Sequence, residues 1–278
     1  MFDPVSFGLV LAISVAGGFT GSLLGLGGGV VVVPLLTVGM GYPVRSVVGA
    51  SLVSVIATSS GAAAAYVRDR LTNLRVAVLM EVATSGGAIV GAYFSPRLPV
   101  RVVYGLFALL LAYSAAAMFH RRHREQATLS VPSPLARRLR LQGAYRDEAL
   151  GRVVVYQAGR VVPAFLVMAL AGGASGVLGI GAGLFKVLGL DLVMGLPIKV
   201  STATSNFMIG VTAAAGAGVH FARGDVDPAL AAPVALGVLA GAWLGSRVLP
   251  RMRAESLRLL FIPLLLFMAW QMARAAVG

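Results

Sequence analysis

Residues 25–29 read Gly25-Leu26-Gly27-Gly28-Gly29, and they interrupt a stretch from residue 4 to residue 44 that contains no charged side chain. A related cluster, Gly179-Ile180-Gly181-Ala182-Gly183, lies in the second half of the chain. Each glycine weakens a helix by about 1 kcal/mol, so three in succession predict a break. Broken helix is tolerated at membrane depth only where protein or a water-filled cavity surrounds it. The two clusters therefore predict one central site between the breaks, built from two related halves.

The composition indicates an integral membrane protein. Of the 278 residues, 58% are hydrophobic and 12% are charged, and the mean hydropathy is +0.88. A soluble domain carries about 25% charged residues, so this chain cannot cover its surface with polar groups. The net charge is +13. Much of it comes from arginines between residues 120 and 160, which the positive-inside rule places in the cytoplasm. We expect anionic lipid as a partner of this segment, and no nucleic acid.

Apolar stretches of about 20 residues, the length of a membrane span, alternate with charged turns. The first half predicts helical arms at 5–24 and 30–40 around the break, followed by spans at 46–66, 76–95 and 102–119. The second half predicts arms at 161–178 and 184–196, followed by spans at 200–221, 229–246 and 259–273. This gives a first transmembrane repeat (1–119), a basic cytoplasmic linker (120–160) and a second transmembrane repeat (161–278).

The two halves align without gaps when one is shifted by the spacing of the glycine clusters. Met40-Gly41-Tyr42-Pro43 then matches Met194-Gly195-Leu196-Pro197. Glycine, proline and charge positions shared in one register indicate an internal repeat. If each break forms a hairpin that returns to its own side, each half crosses the membrane an odd number of times and the halves are inverted. The positive-inside rule favours this arrangement, because it places the arginine-rich turn at 247–258 inside. The predicted fold is an all-α polytopic membrane protein of two inverted repeats, each a glycine-broken hairpin plus three transmembrane helices.

The chain offers no catalytic constellation. It has no cysteine, which excludes disulfides and thiolate metal sites. It also lacks the G-x-x-x-x-G-K-[ST] and H-E-x-x-H motifs and any Ser/His/Asp set. We therefore expect no enzyme activity, no cofactor and no metal site.

Helix N-termini at the two breaks would attract an anion through their unpaired N–H groups. Nearby hydroxyl and amide side chains either donate hydrogen bonds to such an anion or hold helices together. Two lysines are candidate cations for the same site. The predicted substrate site comprises Gly25, Gly27, Gly28, Gly29, Ser51, Thr58, Gly179, Gly181, Gly183, Lys186, Lys199, Ser201, Thr204, Ser205 and Asn206.

The ionisable residues within the apolar stretches leave alternatives open. Lys186 pairs either with Asp191 or with the anion itself. Lys199 either attracts the anion or extends to the membrane interface. Glu81 either carries a coupling proton or pairs with a neighbouring arginine.

The pattern Ala16-Gly17-Gly18, Gly21, Gly25–Gly29 and Pro34, with its echo from Gly172 to Gly183, resembles the TauE/SafE family of sulfite exporters. The similarity covers nearly the whole chain. It implies a secondary transporter in the inner membrane that exports small sulfur-containing anions, namely sulfite, sulfoacetate or related organosulfonates. An anion channel, or an uptake permease for another small oxyanion or carboxylate, is the alternative. The sequence is also compatible with an oligomer.

Overall fold

The computed structural model describes residues 4–94, 100–120, 133–178, 183–222 and 227–277. The chain divides into two compact units. The first unit comprises Met1–Asn73 and Thr202–Arg251, and the second comprises Leu74–Ser201 and Met252–Gly278. Each unit thus combines segments from both halves of the sequence, while the predicted division into two repeats and a linker remains a description of the sequence alone.

The first unit contains the first glycine break and the helices around it. Its elements are α1 (Pro4–Leu24), α2 (Gly29–Pro34) continued by a π-helix (Leu35–Gly39), α3 (Val44–Arg68), most of α9 (Ile198–Ala222) and α10 (Pro228–Val248) with a 3-10 turn (Leu249–Arg251). The α10 helix packs along both α1 and α3. Its core is formed by branched aliphatic side chains, including Val32, Leu36, Val234 and Val238.

The second unit contains the linker and the helix that follows the second glycine cluster. Its elements are α4 (Leu74–Phe94), α5 (Val100–His120), α6 (Pro134–Arg138), β1 (Gly143–Asp147), β2 (Arg152–Tyr156), α7 (Val161–Leu178), α8 (Gly183–Leu188) continued by a π-helix (Gly189–Val193) and α11 (Ala254–Val277). In this unit α4 packs against α7, and α5 packs against α11. The predicted arms and spans agree with these helices to within a few residues in most cases, although α11 begins five residues before its predicted span.

The linker contains structure that the all-α prediction omits. Strands β1 and β2 form an antiparallel hairpin in which Gly143 pairs with Tyr156 and Asp147 pairs with Arg152. Side chains alternate between the two faces of the hairpin, so that Tyr145, Asp147 and Tyr156 are buried. Residues 133–160 of the linker therefore contain folded elements of the second unit.

The first break is a glycine-terminated helix end followed directly by a new helix. Gly25 and Gly27 have φ values of 69° and 76°, in the left-handed region that residues with a Cβ atom rarely adopt. Leu26 N donates to Gly21 O at 3.0 Å, as in a Schellman motif. The sequence therefore breaks the helix where predicted.

The repeat is also visible in local backbone geometry. A π-helix precedes Gly41 in the first unit and Gly195 in the second, and these glycines have φ values of 72° and 75°. The following residues close the turn in the same way, since Tyr42 N donates to Leu36 O at 3.1 Å and Leu196 N donates to Leu190 O at 3.0 Å. The matched sequence stretches thus form the same turn, whereas the inverted orientation of the halves remains a prediction.

Four helical stretches of the described chain are long and apolar enough to cross a membrane. They are Ser6–Leu24, Gly49–Arg68, Pro228–Arg251 and Ala254–Gln271. Large apolar side chains also remain exposed on other helices, such as Val82 and Ile89 on α4. The protein is therefore a mostly helical, multi-pass membrane protein.

Close packing of α4 against α7 predicts opposite effects for two adjacent glycines. A Cβ on Gly87 would overlap the carbonyl oxygen of Ala169, whereas one on Gly86 would meet nothing within 4 Å. We expect Gly87→Ala to lower the free energy of unfolding by about 1–3 kcal/mol, because the helices must separate. Gly86→Ala should be neutral or slightly stabilising, since alanine favours helix. Thermal unfolding in detergent measures both, and equal melting temperatures would contradict the packing described.

Candidate functional site

Hydroxyl groups from α3 and α9 hold the first break. Thr58 Oγ1 accepts a hydrogen bond from Gly28 N at 3.0 Å and donates to Ser54 O at 2.8 Å. Ser205 Oγ donates to Gly25 O at 2.7 Å. These bonds satisfy backbone groups that the break would otherwise leave exposed at membrane depth.

Asn206 joins the same network with a defined amide orientation. Its Nδ2 donates to Ser22 O at 2.6 Å and to Thr202 O at 3.2 Å. Ser22 O also accepts from the hydroxyl of Tyr66 at 3.1 Å. Because both partners of Nδ2 are carbonyl oxygens, Oδ1 must point away from them, and this buried atom has no hydrogen-bond partner. Asn206 therefore uses its donors to hold the end of α1 and leaves an acceptor unused.

Two hydroxyl side chains in the first unit differ from this structural group. Ser51 is half-buried, and its Oγ lies against Gly29 so closely that a Cβ on the glycine would overlap it. Thr202 is fully buried, and its Oγ1 has no hydrogen-bond partner. Thr204 Oγ1, by contrast, accepts from Asn73 N at 3.1 Å. Ser51 thus lies against the break with a hydroxyl able to donate to a bound anion, and Thr202 carries a second hydroxyl without a hydrogen-bond partner.

A buried ion pair joins α4 and α8 in the second unit. Lys186 Nζ lies 2.7 Å from Glu81 Oε2, and the two side chains are 0% and 11% exposed. Ser85 Oγ donates to the other carboxylate oxygen at 3.2 Å. Lys186 and Glu81 are therefore partners of each other, whereas the sequence analysis considered Asp191 for Lys186 and an arginine for Glu81. Burying either charge alone would cost free energy, and the pair avoids much of that cost because each charge neutralises the other.

Asp191 instead pairs with an arginine of α11. Arg258 Nη2 donates to Asp191 Oδ1 at 2.9 Å, and both residues are buried. The sequence analysis assigned Arg258 to an arginine-rich turn, but α11 begins at Ala254 and carries Arg258 into the protein. This contact links α11 to the π-helix that follows α8.

Lys199 is buried and does not extend to an interface. Its Nζ lies 2.8 Å from Asp147 Oδ1 in the linker hairpin. Asp147 Oδ1 also accepts from the backbone N–H groups of Ala149 and Leu150, at 3.0 and 3.2 Å. Tyr145 donates its hydroxyl to Asp147 Oδ2 at 3.3 Å. Burial, reinforced by the charge of Asp147, raises the pKa of Tyr145 above its ordinary value and keeps this donor protonated.

The structure brings together only some of the predicted site residues. The first unit gathers Gly25, Gly27, Gly28, Gly29, Ser51, Thr58, Ser205 and Asn206 around the first break, whereas Thr204 binds Asn73 N. In the second unit, Gly183 begins α8, and Ser201 is buried with an Oγ that has no hydrogen-bond partner. Gly179 and Gly181 lie outside the described residues. Within those residues, no group of three or more histidines and carboxylates is suited to hold a metal ion.

The Glu81–Lys186 pair predicts that removing one of its two charges lowers the free energy of unfolding more than removing both. Glu81→Gln should lower the free energy of unfolding by about 3–5 kcal/mol, because it removes the counter-charge of a buried lysine. Glu81→Gln combined with Lys186→Gln should recover much of this loss. Thermal unfolding of the two variants measures the difference, and a double variant no more stable than Glu81→Gln would contradict the pairing.

Comparison with known proteins places the chain in a transporter family. The family model described as "Sulfite exporter TauE/SafE" matches residues 9–272. The chain is 26% identical over 254 residues to the "Probable membrane transporter protein YunE" of Bacillus subtilis (strain 168), covering 88% of this chain and 87% of that protein. It is 25% identical over 229 residues to the "Probable membrane transporter protein YdhB" of the same organism, covering 81% and 82%. No solved structure matches the chain significantly. The chain belongs to the TauE/SafE sulfite exporter family of membrane transporters.

Proposed function

We propose that this protein is a secondary transporter that exports small sulfur-containing anions, such as sulfite, sulfoacetate or related organosulfonates, across the inner membrane. The observation that carries the proposal is the first glycine break, an uncharged helix interruption with a hydroxyl against it in a multi-pass membrane protein. The family description supports the choice of substrate class. The linker at 120–160 lies in the cytoplasm in this proposal, and the two halves are inverted.

The first break binds the anion through neutral donors. Ser51 supplies a hydroxyl hydrogen, and the start of α2 supplies backbone N–H groups and its partial positive charge. Thr58, Ser205 and Asn206 have their donors engaged in holding the break, so they shape this site. Neutral donors suit a transported ligand, because binding must remain weak enough for release.

Glu81 is the coupling residue of the proposal. A proton on Glu81 would remove the charge that neutralises Lys186, so protonation would favour a different arrangement of α8 against α4. Export is also favoured by the membrane potential, which contributes about 2.3 kcal/mol per charge per 100 mV. The coupling proton and the potential are separable driving forces.

Proteoliposomes test the substrate class directly. We expect vesicles loaded with sulfite or sulfoacetate to release the anion saturably under an imposed potential or pH gradient, and to retain sulfate. Saturation and counter-flow would separate a transporter from an anion channel. Failure of folded, reconstituted protein to move sulfite or any organosulfonate would contradict the proposed substrate class.

Two serines of α3 provide a matched pair of variants for the binding site. Ser51→Ala should raise the KM for the transported anion about tenfold, because a hydrogen bond to a charged ligand contributes about 1.5 kcal/mol. Ser60→Ala makes the same change at an exposed position of the same helix and should leave the KM unchanged. Initial flux rates over a range of anion concentrations measure both, and an unchanged KM in Ser51→Ala would exclude this contact.

A further inference from the structure

The linker hairpin contacts the chain on both sides of a glycine turn. Gly195, with a φ of 75°, connects the π-helix after α8 to the start of α9. On one side of it, Met194 O accepts a hydrogen bond from Gly159 N at 2.9 Å. On the other side, Lys199 in the first turn of α9 pairs with Asp147 at 2.8 Å. Two linker residues thus fix the two ends of one turn.

The carboxylate of Asp147 makes two kinds of interaction, one within the hairpin and one with Lys199. It closes the turn between β1 and β2 by accepting from the N–H groups of Ala149 and Leu150. It also neutralises Lys199, and the side chains of the pair are 4% and 1% exposed. Because both charges are almost fully buried, the position of the hairpin and that of the first turn of α9 depend on each other.

We propose that the linker hairpin is a clamp that fixes the start of α9, and that Asp147 is its positioning residue. Ser201 follows Lys199 by two residues and carries a buried hydroxyl without a hydrogen-bond partner. Ser201 lies in the first turn of α9, so a shift of that turn would move this hydroxyl with it. Where it concerns flux, the inference rests on the proposed transport function; where it concerns the position of α9, it does not.

The substitution Asp147→Asn removes the negative charge but retains the side-chain oxygen that closes the hairpin turn. An asparagine side-chain oxygen can still accept from the two backbone N–H groups, as in other Asx turns. It cannot neutralise Lys199. Asp147→Asn combined with Lys199→Gln removes both charges, so a clamp made by the ion pair predicts that the double variant is less impaired than the single one. Glu148→Gln is the matched control, because it removes the same charge from the exposed neighbouring residue.

The absence of cysteine from the chain allows a direct readout of position. With Ser201→Cys as the single thiol, reaction with a membrane-permeant maleimide reports how often the start of α9 is accessible. In reconstituted full-length protein, Asp147→Asn should raise the labelling rate about tenfold, in proportion to local opening. The double variant should return the rate to within about twofold of the Ser201→Cys parent, and Glu148→Gln should leave it unchanged.

Sulfite flux from vesicles is measured with the same variants, without the introduced cysteine. Comparing flux with labelling distinguishes a failure of the clamp from a failure of the proposed function. A lower maximal rate in Asp147→Asn that the double variant restores, with equal amounts of folded protein, would support positioning. An unchanged labelling rate in Asp147→Asn would overturn the clamp whatever the flux. A double variant that labels as fast as the single one would also overturn it, because removing the charge of Lys199 would then have no effect and the two charges would not be coupled. The labelling rates could change as expected while even the wild-type protein transports no sulfur-containing anion. That result would support the clamp and contradict the proposed substrate class.

Discussion

Polar groups at membrane depth must find their partners within the protein, and the structure of this chain depends on that constraint. A glycine break frees backbone N–H and C=O groups that a continuous helix would pair internally. At the first break these groups bind hydroxyl and amide side chains, such as Thr58, Ser205 and Asn206. The break is therefore stable only because α3 and α9 bring these side chains to it.

In the segment after the second glycine cluster, buried polar groups are paired as ions. Lys186, Asp191 and Lys199 lie on α8, its π-helix and the start of α9, and each has an oppositely charged partner on a different element. The matching residues of the first half are Val32, Thr37 and Arg45. The repeats share their turn geometry at Gly41 and Gly195, but at two of these three positions the charge has no counterpart in the first half.

In the proposed function, this difference separates substrate binding from energy coupling. Neutral donors at the first break suit reversible contact with an anion, because they supply no fixed charge that would hold it. Ion pairs respond to protons and to the membrane potential, because changing either charge leaves the other uncompensated. Because the proposed function assigns these two roles to different residues, substitutions could change one role without changing the other.

The sequence by itself determined the helices of the described residues and the first glycine break. Apolar length and glycine runs act within a few residues, so the helix from Pro4 to Leu24 and the break after it were predictable from the chain alone. Tertiary structure decided the partners, because the residues of the pairs Glu81–Lys186, Asp191–Arg258 and Asp147–Lys199 lie 105, 67 and 52 positions apart in the sequence. It also decided which hydroxyls are occupied, since Ser51 and Ser205 are alike as residues but meet different neighbours. Burial and pairing depend on distant segments brought together by folding, and no local pattern encodes that proximity.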